Sequence, residues 1–205
     1  MKNLILLFGF ITLLAACGNG GSAGNASGAT VDSNNFALTD IPGSDYQKAV
    51  KKDGDGRLLE EGTLLNGKKY GTWIIYYPEK QVPKTISNFV NGLFNGAYME
   101  FNNRGQIEML ASYKNNALDG QYIKFKNGKP REKAGYKNGK MDGTYISYFD
   151  DYKHSDKVQK EFNYKNGELD GTYRFYDEEG NLTLEYEYKN GKKIRGGIVD
   201  AKSGK

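Results

Sequence analysis

The ten residues from Tyr136 to Tyr145, Tyr-Lys-Asn-Gly-Lys-Met-Asp-Gly-Thr-Tyr, return almost unchanged from Tyr164 to Tyr173 as Tyr-Lys-Asn-Gly-Glu-Leu-Asp-Gly-Thr-Tyr. Looser copies open at Leu64, Phe89, Tyr113 and Tyr188, so the lead residue recurs at steps of 25, 24, 23, 28 and 24 residues. A unit this short cannot bury an apolar face alone, so it must pack on its neighbours. The repeat predicts a solenoid or an extended sheet and argues against a compact enzyme core.

The punctuation inside each unit narrows the choice. Asn-Gly stands at Asn66-Gly67, Asn91-Gly92, Asn138-Gly139, Asn166-Gly167 and Asn190-Gly191, with Asn115-Asn116 as the variant. Both central residues of a type I′ hairpin turn need positive φ, which Asn and Gly tolerate at least cost. A second glycine follows at Gly71, Gly96, Gly120, Gly143 and Gly171, where the backbone bends or another strand comes close. Each outgoing strand then carries one aromatic (Trp73, Tyr98, Tyr122, Tyr145, Tyr173) and, three residues on, a second (Tyr76, Phe101, Phe125, Tyr148, Tyr176). A separation of three puts the two rows on opposite faces of a regular strand. Ile74, Met99, Ile123 and Ile146 join the second row and make its face the more apolar.

Return turns fall at Gly105, Gly128 and Gly180, which gives two strands per unit. The fold class is all-β: an elongated, twisted antiparallel sheet of tandem β-hairpins. Equivalent aromatics then lie about 9–10 Å apart across the sheet, and stacking between units substitutes for a central core. A hydrophobic content of 38% beside 13% aromatics and 27 glycines suits such a thin sheet.

The N-terminus carries an independent signal. Lys2 is followed by an apolar run from Leu4 to Leu14, then Ala15-Ala16-Cys17. The run is too short for a permanent membrane span and reads as an export signal over residues 1–16. Leu-Ala-Ala-Cys resembles the bacterial lipoprotein box, which implies cleavage before Cys17 and lipidation of Cys17. The mature chain is then anchored to a membrane through lipid without crossing it, in the bacterial cell envelope, and Gly18 after the cysteine favours the outer membrane. Residues 17–53 read as the lipidated cysteine and a flexible tether rich in small residues, with one short helical turn at Asp45 to Lys52. The folded array is set at residues 54–205, about five full units plus terminal caps.

Charge excludes one partner class. The formal net charge is +4, too small an excess for a nucleic-acid binder. It is unevenly spread, because Lys114 to Lys140 holds eight basic and two acidic residues while Tyr164 to Lys189 holds three basic and seven acidic ones.

The pattern Tyr-Lys-Asn-Gly-x-x-Asp-Gly-x-Tyr-x-x-Tyr/Phe resembles the bacterial variant of the MORN repeat, over Leu58 to about Val199. That resemblance implies an elongated sheet of successive hairpins. It is also similar to the YwqK-type antitoxin family, which implies a protein partner such as a secreted toxin. The first unit departs from the pattern at Leu64 and Lys69-Tyr70, and the last at Arg195, where the second glycine belongs.

Two places are candidate sites. The row Trp73, Tyr98, Tyr122, Tyr145 and Tyr173 offers evenly spaced amphipathic rings for a protein edge, a glycan or a lipid headgroup. The longest step comes from an expanded loop holding Asp150, Asp151, His154 and Asp156. One histidine among flexible acids rarely makes a metal site, so no metal and no cofactor is expected there. The recurrent Asp119, Asp142 and Asp170 stand before a glycine and belong to turns rather than to catalysis. Asp53-Gly54-Asp55-Gly56 lacks the ligand order of a calcium loop and is a turn. No nucleophile elbow, phosphate loop or dinucleotide fingerprint is present. The expected function is non-enzymatic protein–protein interaction, antitoxin- or immunity-like, with glycan or lipid contact through the aromatic row as the alternative.

Overall fold

A computed structural model of the chain describes residues 28–199; Cys17, the expected export signal and the first part of the expected tether lie outside them. The strands are β1 (Ala37–Asp40), β2 (Tyr46–Lys52), β3 (Leu58–Leu65), β4 (Lys68–Tyr77), β5 (Val82–Val90), β6 (Leu93–Phe101), β7 (Ile107–Lys114), β8 (Ala117–Lys126), β9 (Lys129–Lys137), β10 (Lys140–Met141), β11 (Gly143–Tyr148), β12 (Val158–Lys165), β13 (Glu168–Tyr176), β14 (Leu182–Lys189) and β15 (Lys192–Ile198). They form one 15-stranded antiparallel sheet in sequence order, with the two-residue β10 pairing β9 beside the main path. The sheet does not close, so β1 and β15 are its two edges.

The turn chemistry is as the residues require. Asn66, Asn91, Asn138, Asn166 and Asn190 have φ between 48° and 52°, and the glycine after each is also positive. Asn115 and Asn116, at φ 50° and 66°, make the same turn without glycine. The second glycines, Gly71 to Gly171, have φ between 67° and 114° and sit at register shifts where one strand bulges against the next. In the last hairpin the left-handed position is not Arg195 but Gly196, at φ 108°, one residue later than in the other units.

The sheet begins earlier than Gly54. β1 and β2 are full members, and Tyr46–Lys52 is a strand rather than a helical turn. The reason is Ala49, which is fully buried in a cluster with Leu64, Trp73 and Phe89. Before β1 the chain runs along the hairpin turns: Gly28 N donates to Asn91 O at 2.9 Å and Val31 N to Gly67 O at 2.8 Å. A single 3-10 turn, Ser33–Asn35, is capped by Asp32. Phe36 then meets Trp73 edge-on at 5.7 Å, and Val31 and Leu38 close the same cluster. This strap is an N-terminal cap that shields the first unit, as terminal repeats require.

Trp73 is the centre of that cap. It is 1% exposed, and its indole Nε1 donates to Thr63 O at 2.9 Å, so the one polar atom of the ring is satisfied. Its ring lies against Gly62, where an added Cβ would overlap it. Gly62→Ala is therefore expected to destabilise the protein by about 1–3 kcal/mol through overpacking, read as a lower urea midpoint; an unchanged midpoint would contradict this packing.

Candidate interaction surface

One face of the sheet carries the lead aromatics and the first aromatic row together. Register pairs Trp73 with Ser87, Ser87 with Tyr98, Tyr98 with Ala111, Ala111 with Tyr122 and Tyr122 with Ala134. A ring on each outgoing strand thus alternates with a small residue on each returning strand. Ser87, Ala111 and Ala134 are buried, because the rings on either side lean over them. Sequence reasoning missed this alternation, although its signal was legible: two residues before each lead residue Leu64, Phe89, Tyr113 and Tyr136 stands Gly62, Ser87, Ala111 or Ala134.

The pattern changes at β12. Phe162 occupies the small position, and a continuous stack results: Tyr145 lies 5.6 Å from Phe162, and Phe162 lies 3.9 Å from Tyr173 with the planes 2° apart. Tyr98 meets Tyr113 at 5.7 Å, and Tyr122 meets Tyr136 at 5.9 Å. Of the five candidate ring residues, Trp73 is core and leaves the binding row, while Tyr98, Tyr122, Tyr145 and Tyr173 are half-buried in these stacks. The rings serve packing between hairpins, and the face opposite the one expected to be more apolar holds most of the fully buried residues.

The tyrosine hydroxyls record this burial. Desolvation, aided by Glu132, pushes Tyr122 and Tyr145 up to about 12. Tyr98 is raised further by burial and by its hydrogen bond to Glu100 at 2.7 Å.

The other face carries a ladder in unbroken register. It runs Ile74, Ile86, Met99, Leu110, Ile123 across β4 to β8 and continues through Lys133, Ile146, Glu161, Arg174 and Glu185. Its first five members are aliphatic, and all are partly exposed. Beside the ladder the bulged ends of the hairpins pair Tyr76 with Pro83, Phe101 with Ile107, Phe125 with Pro130, Tyr148 with Val158 and Tyr176 with Leu182. Among the described residues no second layer covers this face.

At the turn edge the repeated aspartates act between units. Asp119 accepts from Asn138 N at 3.0 Å, Asp142 from Asn166 N at 3.0 Å and Asp170 from Asn190 N at 3.3 Å. In parallel the glycine N–H of each of these turns donates to Leu118, Met141 or Leu169 O of the preceding hairpin at 2.8–2.9 Å. Each aspartate thus caps the next unit's turn. Asp53 has the equivalent local role at the other edge, where its carboxylate accepts from Asp55 N and Arg57 N and pairs with the Arg57 side chain.

The expanded loop is held by its neighbour. Lys126 pairs with Asp150 at 2.7 Å, Lys129 donates to Ser155 Oγ at 2.8 Å and Arg131 donates to Phe149 O. His154 lies 2.9 Å from Asp151 through Nδ1, with Phe149 beside the ring, while Asp156 is exposed. The four loop residues are therefore not gathered on one point, and no group of three metal-ligating side chains exists among the described residues. The Lys126 ammonium holds Asp150 below the usual carboxylate range, and hydrogen bonds from His154 do the same for Asp151.

Compared with known families and with curated proteins, the chain matches no family model and no curated sequence.

The tyrosine shifts set an alkaline limit. A folded pKa above the unfolded value of about 10 keeps the native state protonated longer, so stability is full below about pH 10 and falls as pH rises through the folded values. Absorbance titration should show tyrosines ionising near pH 12 together with loss of β circular dichroism; ionisation of all tyrosines near pH 10 in a folded chain would contradict the packing. The depressed loop acids set the opposite limit. Their contribution is present above about pH 4 and is lost as pH falls through their lower folded values, so urea midpoints should be flat from about pH 7 to 5 and drop below pH 4.

Proposed function

We propose that this chain is a non-enzymatic repeat protein, lipid-anchored to the bacterial cell envelope through Cys17, that docks a protein partner on its aliphatic face. The carrying observation is the ladder Ile74, Ile86, Met99, Leu110, Ile123, five partly exposed aliphatic side chains on consecutive strands with no layer over them. A contiguous apolar strip on a sheet face is the physical mark of an interaction surface. The aliphatic part, β4 to β8, spans about 19 Å at about 4.8 Å per strand, and with its largely charged continuation to β14 the ladder spans about 43 Å. An occupant about 19 Å wide would cover the roughly 800 Å² that a standard interface takes from each partner.

The titratable groups support the non-enzymatic reading, because the loop and turn aspartates are engaged in ion pairs and caps. The MORN-like, YwqK-like pattern makes a toxin that acts in the envelope the fitting partner class, which an immunity protein anchored there could meet. Glycan or lipid contact through Tyr98, Tyr122, Tyr145 and Tyr173 has less support, because those rings are spent in stacks.

The test is capture by cross-linking from the native envelope, comparing the wild-type chain with Met99→Glu and Leu110→Glu and with a tyrosine-face control, Tyr122→Phe. The two glutamate variants, folded by circular dichroism, should lose a partner that the control retains, by about tenfold or more, since each places a charge in a desolvated contact. Loss on the tyrosine face alone would move the docking surface to that face.

A further inference from the structure

An open groove of about 440 Å³ lies where the β8–β9 hairpin, β11 and β12 meet the expanded loop; its lining includes Lys124, Lys126, Arg131, Glu132, Ser147 and Lys160. Register makes part of it a cross-strand series on the tyrosine face: Lys124 opposite Glu132, Glu132 opposite Ser147, Ser147 opposite Lys160. Four cations face two carboxylates, Glu132 and Asp150. Asp150 is taken by Lys126, whereas Lys124 and Lys160 pair with no carboxylate among the described residues.

The groove also collects the molecule's unmet hydrogen bonds. Among the described residues two buried side-chain polar atoms have no hydrogen-bond partner, Arg131 Nε and Ser147 Oγ, and both residues line this one site. Ser147 is 8% exposed; its Oγ lies near the Tyr145 hydroxyl but makes no hydrogen bond of ordinary geometry. Arg131 Nε is 3.3 Å from Asp150, an ion contact without hydrogen-bond alignment, while the same guanidinium donates to Phe149 O. Buried donors without well-aligned partners are costly, and two of them in one site favour an occupant. Both atoms can donate, and two such donors beside excess cations suit the two oxygens of a planar carboxylate.

We infer that this groove receives a carboxylate: Lys160 and Lys124 meet its charge, and Ser147 Oγ and Arg131 Nε supply donors as the side chains over them shift. The groove's register series lies on the face opposite the aliphatic ladder, so this inference goes beyond the docking reading above and does not rest on it.

The experiment uses the full chain in detergent micelles, with sodium acetate replacing chloride at constant ionic strength and NMR following the backbone amides and the arginine Nε–H signals. Saturable shifts at Ser147 and Arg131, with a dissociation constant of about 1–10 mM, are expected. Ser147→Ala and Lys160→Gln should each weaken binding by about fivefold or more, whereas Lys193→Gln, on β15, should change nothing. Absence of saturation, or saturation indifferent to Ser147→Ala and Lys160→Gln, would overturn the proposal and leave the groove holding only ordered water. Inorganic phosphate binding tenfold more tightly than acetate would overturn the choice of carboxylate. No protein partner enters this readout, so failure of the docking reading would leave the acetate result standing, and failure here would leave that reading to its own capture test.

Discussion

A sheet one layer thick has nothing behind it to bury its side chains, so each ring must find cover from its own neighbours. Here that cover comes from alternating large and small residues across the strands: Trp73, Ser87, Tyr98, Ala111, Tyr122, Ala134. Beside a serine or alanine a ring can lie down over the neighbouring strand. Where Phe162 replaces the small residue, the rings stack face to face on Tyr173 instead. The same rule explains Gly62, which leaves room for the largest ring of the series at the end where the strap closes over it.

Register is what makes this alternation possible, and it is secured at the turn edge. The Asn-Gly turns set the pairing within a hairpin, as two-residue loops do. Pairing between hairpins has a separate lock, the aspartate that caps the next turn and the glycine N–H that reaches back to the previous strand. A slip of one residue would break both bonds and turn every ring to the other face.

Most of the architecture was legible because it is written in local chemistry. Positive-φ turns, two strands per unit and the two faces follow from Asn-Gly pairs and strand alternation, and the structure bears them out. What escaped depended on residues distant in sequence. Nothing periodic in residues 28–36 announces that they cross the turns of the first two units, since their bonds go to Gly67 and Asn91. Asp142 looks like part of its own turn until the neighbouring hairpin brings Asn166 to it. The displaced Gly196 could not be placed by spacing alone, because a bulge absorbs one residue without leaving a mark in the repeat. Of the candidate site residues, Trp73 was misread for a reason of the same kind: its cover, Phe36 and Val31, lies before the first repeat.

The strap also makes the array polar in a mechanical sense. At the β1 end the aromatic cluster is sealed, whereas at the other end β15 presents Ile198 at 82% exposure and Ile194 at 57%. Because each hairpin bonds mainly to the next, opening spreads by nearest-neighbour steps, and the side with the more exposed side chains is where it begins. Among the described residues the array is therefore built like a zipper with a stop at one end only. The stop is at the N-terminal end, so a pull on that end loads the most tightly closed unit, and the C-terminal hairpins are left to peel or to accept another strand.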